Sequence, residues 1–400
     1  MRLLFVVQRY GAEVFGGAET YARDLATRLA GRGHSIEVLT SCAVSYLTWA
    51  NEYRPGTEQL DGVLVHRLPA RIQREQRLFL PLSTRLVQDP LGAPLHLQKE
   101  WIRLQGPYIP EVPEWIGDRS PEFDAAIFVT YLYHPVWAGL PAARVPRIFH
   151  PTAHDEWMLY MSAYDRLFHL SDGFGFLTPE EGRLVERRFG VRRPQAVTGV
   201  GIDLQRRPDA AAFRARFGLG DRPYVAYVGR LDPMKGSDEL YRYFVAYKRR
   251  HPGPLALVMI GEEVYRLPRR SDVIKTGFVD DGLRDSGVAG AQVLVQPSRF
   301  ESFSIVLCEA WVAGIPALVQ GRSDVLLGQA RRSAGALPYW TYAEFEAGLE
   351  TLLDDEPLRR RMGAAGRRYV EANYAWPAML AGYEAFLERV AGARRSSTRS

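Results

Sequence analysis

The sequence predicts an α/β protein made of two domains, each containing a doubly wound parallel sheet. The chain has 400 residues, more than one hydrophobic core usually holds. Short apolar runs alternate with helical segments in both halves of the chain. This pattern is typical of parallel strands that are buried on both faces. Each half also opens in the same way, with an apolar run followed by a glycine-containing turn.

The first series of elements opens with the apolar run 3–7 and a glycine-rich turn at 15–18. An amphipathic helix follows, with apolar residues at helical spacing from Tyr21 to Leu29, and it is predicted to end near Gly31. Further strands of this series are predicted at 36–40, 63–67, 125–130, 147–150 and 173–177.

The second series begins with the apolar run 224–228. Because strands and helical segments alternate again, a second parallel sheet is predicted. Its later strands are predicted at 255–260, 273–276, 293–296 and 317–320, with helices notably over 238–250 and 305–313.

Two stretches interrupt these patterns. The segment 46–116, rich in Pro, Trp and Tyr, is less regular and is interpreted as an insertion near a cleft between the domains. The stretch 199–221 has no strand pattern, and we predict the domain boundary there. The predicted division is an N-terminal domain (1–200), a C-terminal domain (201–375) and a C-terminal helix with a basic tail (376–400).

The formal net charge is +5, and part of the positive charge is clustered. Basic clusters are found at 187–188, 192–193, 248–250 and 269–270, and in the tail 393–400. Two interpretations stay open, a solvated basic surface and contact with an anionic membrane surface. Nucleic acid is not expected as a partner, because no recognition motif accompanies the charge.

Cysteine usage and hydropathy bear on the location of the protein. The two cysteines, Cys42 and Cys308, give neither a disulfide framework nor a metal-ligand spacing. The apolar run 3–7 is too short for a signal peptide. No stretch reaches the roughly 20 apolar residues of a membrane-spanning helix. The sequence therefore predicts a cytoplasmic protein that is soluble or peripherally attached to a membrane.

Gly16 and Gly17 lie between the first strand and the first helix, followed by Ala18 and Glu19. Paired glycines let backbone N–H groups approach a ligand, and the helix N-terminus that follows favours an anion. A tight strand-to-helix turn without a ligand is the alternative. The spacing differs from the G-x-G-x-x-G pattern of dinucleotide-binding enzymes, which argues against an oxidoreductase.

A second motif, residues 229–236, directly follows the predicted strand 224–228. Ligands of open α/β sheets bind at the carboxyl ends of the strands. Arg230 and Lys235 supply a guanidinium and an ammonium there, and both groups suit a diphosphate. The alternative is a surface loop with two solvated cations.

The most informative motif, residues 297–310, follows the strand 293–296 and runs into a helix. Glu301 lies in its loop, and Glu309 lies about two helical turns farther along. Two ionised carboxylates that face one cleft can accept hydrogen bonds from vicinal hydroxyls. Backbone N–H groups at the helix start suit a phosphate. The alternative is an acid at a helix N-terminus followed by an ordinary helix glutamate.

Together these motifs resemble the family-4 retaining glycosyltransferases of the GT-B fold, and the resemblance covers nearly the whole chain. It depends on Gly16–Glu19, Gly229–Arg230 with Lys235–Gly236, the pair Glu301 and Glu309, and Gly314–Pro316. The resemblance implies two Rossmann-like domains whose parallel sheets face each other across a cleft. It also implies a nucleotide-sugar donor on the C-terminal domain (201–375) and an acceptor, not identified, on the N-terminal domain (1–200). The C-terminal helix (376–400) is expected to cross back to the N-terminal domain.

The family implies roles for individual residues. Those matching Arg230 and Lys235 bind the donor diphosphate, the match to Glu309 holds the ribose hydroxyls, and the match to Glu301 contacts the donor sugar. The remaining donor contacts are backbone groups of Phe303, Ser304 and Ile305, for sugar and phosphate, and the loop that carries Val279, for the nucleotide base.

Two positions depart from the family pattern, and both concern the donor sugar. Ser304 replaces the usual glycine after the motif phenylalanine, and an acidic motif is matched only loosely at 322–324. By analogy His154 is expected to face the donor sugar, and His134 is the other candidate from a strand end. For each histidine the alternative is a packed side chain bonded to the backbone.

The expected mechanism needs no metal ion or other cofactor, because Arg230, Lys235 and helix N-termini can stabilise the leaving diphosphate. A zinc site is not expected either, since His150 and His154 lack an H-E-x-x-H pattern. Other functions stay open: an epimerase or phosphorylase of the same fold, and a catalytically silent sugar-nucleotide-binding module. The donor nucleotide, its sugar and the acceptor are not identified by the sequence.

Overall fold

The computed structural model describes residues 1–397, and the side chains of residues 1–392. The basic tail 393–400, one of the predicted membrane-contact segments, lies outside the residues whose side chains are described. The chain divides into two compact units. Unit 1 comprises residues 1–199 together with the described residues from Leu380 onward, and unit 2 comprises residues 200–379.

Unit 1 is built on an eight-stranded sheet. Its strands are β1 (Arg2–Val6), β2 (Ser35–Ser41), β3 (Gly56–Leu60), β4 (Val63–Leu68), β5 (Ala125–Val129), β6 (Arg147–His150), β7 (Gly173–Phe176) and β8 (Gln195–Val197). They follow the order β3-β4-β2-β1-β5-β6-β7-β8. Neighbouring strands are parallel except β3 and β4, which pair antiparallel.

Helices connect most of these strands. They are α1 (Gly17–Gly31), α2 (Gln76–Leu86), α3 (Leu95–Gln105), α4 (Val112–Arg119), α5 (His134–Gly139), α6 (Asp165–Leu170) and α7 (Pro179–Phe189). The central strand β1 is fully buried from Leu3 to Val6, because helices cover both faces of a parallel sheet.

Unit 2 contains a six-stranded, all-parallel sheet. Its strands are β9 (Tyr224–Val228), β10 (Ala256–Ile260), β11 (Val273–Gly277), β12 (Val293–Gln296), β13 (Ala317–Gln320) and β14 (Ala336–Tyr339), in the order β11-β10-β9-β12-β13-β14. Its helices are α8 (Ala210–Arg216), α9 (Ser237–Arg250), α10 (Asp281–Ala289), α11 (Ile305–Val312), α12 (Asp324–Ser333), α13 (Tyr342–Asp354) and α14 (Glu356–Asn373). The strand order is that of a doubly wound nucleotide-binding sheet.

Two α/β units with parallel sheets are therefore present, as the sequence predicts. The segment 46–116 is more regular than the sequence predicts, because it contains the β3–β4 hairpin, helices α2 and α3 and the first part of α4. Helix α2 is hidden in the sequence because Pro81 lies inside it, and proline normally interrupts a helix.

The last described helix, α15 (Trp376–Ser397), begins in unit 2 and belongs to unit 1 from Leu380 onward. In unit 1 the Tyr383 hydroxyl lies 2.8 Å from Nε2 of His150. Arg32 donates two hydrogen bonds of 2.7 Å to Glu384. These contacts fix the second part of the helix against β6 and the end of α1.

Each unit holds one cysteine, and both thiols are free and fully buried, Cys42 in unit 1 and Cys308 in unit 2. Burial raises the pKa of Cys42 to about 11 and the pKa of Cys308 well above its usual value. None of the helices in the described part of the chain is long and apolar enough to cross a membrane.

Candidate functional site

The strand order of unit 2 reverses between β9 and β12, which are neighbours in the sheet but far apart in sequence. Ligands of doubly wound sheets bind outside the carboxyl ends of the strands at such a reversal. The loop 229–236 follows β9, and the loop 297–304 follows β12. The two motifs that the sequence singles out are thus brought to the same edge of one sheet.

Glycine shapes the loop after β9. A Cβ atom on Gly261, in the neighbouring loop after β10, would lie 2.1 Å from the carbonyl oxygen of Gly229, so only glycine permits this close approach. The Tyr227 hydroxyl donates to the Arg230 carbonyl at 2.7 Å, and the Asp232 side chain accepts from Met234 N at 2.9 Å. These bonds hold the backbone on both sides of Arg230.

The two predicted diphosphate ligands have different surroundings. The Lys235 ammonium donates to Oε1 of Glu301 at 3.0 Å, which joins the two loops by an ion pair. Nη2 of Arg230 lies 3.7 Å from Oδ2 of Asp232, and 35% of the Arg230 side chain is exposed. The structure therefore brings Lys235 and Glu301 into direct contact and presents Arg230 on the same loop.

Gly236 closes the loop with a left-handed conformation, φ +72°, between a 3-10 turn and helix α9. A Cβ atom at this position would lie 2.5 Å from the carbonyl oxygen of Pro297, the first residue of the other loop. The two loops can approach this closely only because residue 236 has no side chain.

Ser304 ends the second loop and precedes α11. Its φ is +71°, a left-handed conformation that glycine adopts far more readily than serine. Its buried hydroxyl accepts a hydrogen bond of 2.9 Å from Nε2 of Gln296. The departure from the family pattern at Ser304 thus falls where the backbone favours glycine, and the hydrogen bond compensates for part of the conformational cost.

The neighbouring donor-binding candidates are placed by the core. Phe303 is buried, and its ring meets Tyr374 edge-on at 4.9 Å. The Phe303 carbonyl accepts from Nε2 of Gln329 at 3.3 Å. Ile305 is the first residue of α11. Its backbone N–H therefore lies in the helix turn that has no intrahelical acceptor.

Glu309, on α11, is 7% exposed. Its Oε1 atom accepts from Nη2 of Arg206 at 2.8 Å and from Nη2 of Arg284 at 3.0 Å. Neither arginine lies in a motif of the sequence, and no local pattern around them points to the carboxylate. Arg206 precedes α8, and Arg284 lies in α10.

Val279 lies beyond the end of β11. This strand is at one edge of the unit 2 sheet, two strands away from β9. Gly277, the last residue of β11, has φ +70°, and its carbonyl accepts from Gly261 N at 3.0 Å. The predicted base-contacting loop is thus attached to the loop after β10, and through Gly261 to the backbone beside Arg230.

In unit 1, Gly16 precedes α1 and Gly17 is its first residue. A Cβ atom on Gly16 would lie 2.3 Å from Oε2 of Glu19. Glu19 forms a buried ion pair with Arg9, whose Nε lies 2.9 Å from Oε1. Gly17 has no heavy atom within 4 Å of the position that a Cβ would take. A side chain at residue 16 would therefore displace the Glu19 carboxylate, whereas the space beside Gly17 is open.

The three histidines considered from the sequence differ in environment. His154 is 27% exposed, and its Nδ1 lies 3.3 Å from Oε1 of Glu156. His150 is fully buried between the hydroxyls of Tyr21 and Tyr383. Burial lowers the pKa of His150 to about 3. His150 is therefore a packed neutral side chain, and His154 is the partly exposed histidine of this loop.

His134 is packed as well. It is 5% exposed, and its ring meets Tyr108 edge-on at 4.8 Å. Burial lowers its pKa to about 4. His134 is therefore a packed side chain, which is the alternative that the sequence leaves open.

A buried glutamate that the sequence analysis does not identify holds the loop of His154. The two carboxylate oxygens of Glu181 accept from Ala153 N and Leu177 N, both at 2.7 Å. Burial raises the pKa of Glu181 to about 8, against the opposing effect of these backbone hydrogen bonds. Glu181 thus ties the loop after β6 to the end of β7.

Two family models match the chain in succession. The model described as "Glycosyl transferase 4-like domain" matches residues 16–201, and the model described as "Glycosyl transferases group 1" matches residues 209–369. Between them they span most of unit 1 and most of unit 2.

Relatives and solved structures of similar length also match. A "GDP-mannose-dependent alpha-(1-6)-phosphatidylinositol monomannoside mannosyltransferase" from Mycobacterium tuberculosis is 27% identical over 405 residues, 93% of this chain and 94% of the relative. Sucrose-phosphate synthase from Thermosynechococcus elongatus has a TM-score of 0.70 at 18% identity, with 98% of this chain and 99% of that chain covered. Anabaena HepE in complex with UDP and glucose has a TM-score of 0.68 at 16% identity, with 97% and 100% covered.

Proposed function

Because this chain belongs to the family-4 glycosyltransferases of the GT-B fold and is a nucleotide-sugar-dependent transferase, we propose that it transfers its sugar with retention of the anomeric configuration. Retention is proposed from the resemblance to the family. The observation that supports the placement of the donor is the ion pair between Lys235 and Glu301 at the carboxyl ends of β9 and β12. In a nucleotide sugar the anionic phosphate is bonded directly to the sugar. A cation and a carboxylate 3.0 Å apart suit that junction, with Lys235 on the phosphate and Glu301 on the sugar hydroxyls.

The role proposed for Arg230 and Lys235 is to stabilise the leaving group. As the bond between the sugar C1 and the phosphate oxygen breaks, negative charge develops on the nucleoside diphosphate. Fixed cations and the N-terminus of α11 would stabilise that charge where it forms. The acceptor hydroxyl would attack C1 on the face that the diphosphate leaves, and its proton would pass to a donor phosphate oxygen.

The remaining donor contacts follow from the same orientation. Backbone N–H groups at Ser304 and Ile305 would bind phosphate or sugar, and Glu309 would accept the ribose hydroxyls. The loop that carries Val279 would contact the base. For unit 1 the assignments come from the resemblance to the family alone, an anion at the N-terminus of α1 beside Gly17 and the donor sugar at His154.

Replacing Arg230 or Lys235 with alanine tests the diphosphate assignment. Each change should weaken nucleoside-diphosphate binding by about 1.5–3 kcal/mol, the range for hydrogen bonds to charged groups. Calorimetry with the full chain measures this, and the Arg360→Ala variant, which changes a mostly exposed arginine of α14, is the matched control. Unchanged affinity in both site variants would remove the assignment.

Metal independence is the second expectation of this mechanism. Because side-chain cations stabilise the leaving group, transfer should persist when EDTA is present. The initial rate is measured with and without the chelator, and then after Mg²⁺ or Mn²⁺ is added back. Loss of activity that either ion restores would contradict the proposed role of Arg230 and Lys235.

The donor and the acceptor stay open. The M. tuberculosis relative is named for GDP-mannose, whereas the Anabaena structure holds UDP and glucose, so the similarities favour no single nucleotide. A thermal-shift screen of UDP-, GDP- and ADP-sugars identifies the donor, because a ligand that binds the native state raises the melting temperature.

We also propose a cytoplasmic location with peripheral membrane contact. Two buried free thiols suit a reducing compartment. Among the basic clusters, Arg192 is 88% exposed and lies 3.5 Å from an exposed Glu186, whereas Arg188 is 14% exposed and paired with Asp165, and Arg250 is 65% exposed and paired with Glu346. The cluster at 192–193 is therefore the best candidate for anionic lipid. Equal sedimentation with phosphatidylglycerol and phosphatidylcholine vesicles would count against this contact.

A further inference from the structure

Two arginines outside the sequence motifs meet on one oxygen of Glu309. Nη2 of Arg206 and Nη2 of Arg284 donate to Oε1 at 2.8 and 3.0 Å. The arginines approach α11 from two separate elements, the segment before α8 and helix α10. A carboxylate oxygen offers about two lone-pair sites, so these two donors saturate Oε1.

Each arginine is itself fixed by a second carboxylate. Nη1 of Arg206 lies 2.6 Å from both oxygens of Asp285, and Nη1 of Arg284 lies 2.7 Å from Oδ1 of Asp281. The side chains of Arg206 and Arg284 are 21% and 24% exposed. A planar guanidinium held at two points has little freedom to rotate. The pair therefore holds the plane of the Glu309 carboxylate in one orientation.

The cluster borders open space rather than a sealed core. Arg206, Asp285 and Glu309 line a cavity of about 210 Å³ within unit 2, together with apolar residues such as Val288 and Val312. A ligand group in this space can reach the carboxylate.

We propose that Arg206 and Arg284 are positioning residues that prepare Glu309 to recognise the vicinal diol of a ribonucleotide. By occupying Oε1, they direct incoming hydroxyl groups to Oε2, which accepts hydrogen bonds. The proposal rests on the proposed function, in which Glu309 binds the ribose. It adds that selection for ribose over deoxyribose depends on the two arginines that hold this carboxylate.

The test compares nucleotides that differ only in the sugar. Calorimetry on the full chain measures binding of UDP, GDP and ADP and of the 2′-deoxy and 3′-deoxy counterparts of each. For the nucleotide that binds, the wild-type protein should prefer the ribose form by about tenfold or more, as expected for a hydrogen bond to a charged group. In Arg206→Lys and Arg284→Lys, which keep the charge but lose the planar fork, the preference should fall to about threefold or less. Affinity for the deoxynucleotides should change by less than about twofold, since the arginines are not expected to contact phosphate.

Two variants provide controls. Arg360→Lys makes the same chemical change at an exposed arginine of α14 and should keep the wild-type preference. Glu301→Gln should also keep it, because Glu301 is assigned to the donor sugar. Thermal melts of each variant show whether it is folded. If an arginine variant does not fold, Asp285→Asn loosens Arg206 while Glu309 stays in place, and it should lower the preference in the same direction.

The outcomes separate this proposal from the one on which it rests. If Glu309→Gln keeps the wild-type preference for ribose, Glu309 is not the ribose ligand and both proposals fail. If Glu309→Gln abolishes the preference but both lysine variants retain it, the positioning role alone is overturned. Equal losses of affinity for ribose and deoxyribose forms would also overturn it, because such losses indicate a general structural effect.

Discussion

At the residue scale, Ser304 combines two opposing effects. Its left-handed backbone, φ +71°, costs a serine about 1–2 kcal/mol relative to a right-handed conformation. Its hydroxyl satisfies the buried amide of Gln296 at 2.9 Å, and leaving such a donor without an acceptor costs about 1–3 kcal/mol. The hydrogen bond therefore favours serine at this position, whereas the backbone conformation favours glycine.

Ser304→Ala and Ser304→Gly separate these effects. Both variants leave Gln296 without its acceptor, so both should be less stable than the wild type. Alanine also keeps the backbone cost, and Ser304→Ala should therefore be the less stable of the two, by about 1 kcal/mol. Urea unfolding followed by circular dichroism measures the difference. A glycine variant more stable than the wild type would show that the hydrogen bond contributes little.

The sequence identifies the residues of the candidate site that lie in motifs next to strands. It does not identify the residues of that site that lie outside such motifs. Lys235 and Glu301 each follow an apolar run closely, so the meeting of strand ends in a parallel sheet predicts that they come together. Arg206, Arg284 and Glu181 lack such a signal. Arg206 is 103 positions from Glu309, and only tertiary packing brings the two together.

At the scale of elements, the two loops of the unit 2 site depend on glycine where they touch. Gly236→Ala would add a Cβ atom 2.5 Å from the Pro297 carbonyl oxygen at a position where φ is +72°. Gly218 has a similar φ of +62°, but no atom lies within 4 Å of its Cβ position. Gly218→Ala thus isolates the conformational cost, and Gly236→Ala adds the clash.

We expect Gly218→Ala to destabilise unit 2 by about 1 kcal/mol. Gly236→Ala should cost about 1–3 kcal/mol more and should also weaken nucleoside-diphosphate binding, because the clash displaces the loop of Lys235. Chemical unfolding and calorimetry on both variants measure these effects. If the two variants lose equal stability and both keep full affinity, the close contact between the loops is unimportant.

The strands that the sequence does not predict all lie at the edges of the two sheets. Three of the four strands at the sheet edges, β3, β8 and β14, have no predicted counterpart. Strand β3 is polar and exposed, β8 has three residues, and β14 contains Pro338. An edge strand needs neither two buried faces nor a complete hydrogen-bond ladder, so it lacks the apolar run by which the central strands are predicted.

At the scale of the whole molecule, burial shifts the pKa values of three side chains in unit 1, those of His150, His134 and Glu181. The two histidine shifts lower stability in acid, and the glutamate shift lowers it as pH rises. The pKa values of His150 and His134 fall to about 3 and about 4. The unfolded chain then binds their protons first, and stability is lost as pH falls below about 6.5. The pKa of Glu181 rises to about 8. The folded state then keeps its proton longer than the unfolded chain does, and stability is lost as pH rises from about 4.5 to 8.

The stability of unit 1 should therefore be greatest near pH 6.5. On the acid side, His150→Gln should reduce the slope by about 1.4 kcal/mol per pH unit. On the alkaline side, Glu181→Gln should flatten the decline. Urea unfolding at several pH values measures both slopes, and His169→Gln, at an exposed histidine of α6, is the control. A His150→Gln slope equal to that of the wild type would show that His150 is not neutral in the folded protein.

The positions of the two cysteines also allow the opening of each unit to be measured by the rate of thiol labelling. A thiol reagent cannot reach Cys42 or Cys308 while both stay fully buried, so labelling must wait until the surrounding structure opens. Each unit contains one of the two thiols. Peptide mapping of the labelled sulfur would then report which unit opened, and the labelling rate would report how often. The wild-type protein thus carries a separate kinetic reporter in each half, without any engineered probe.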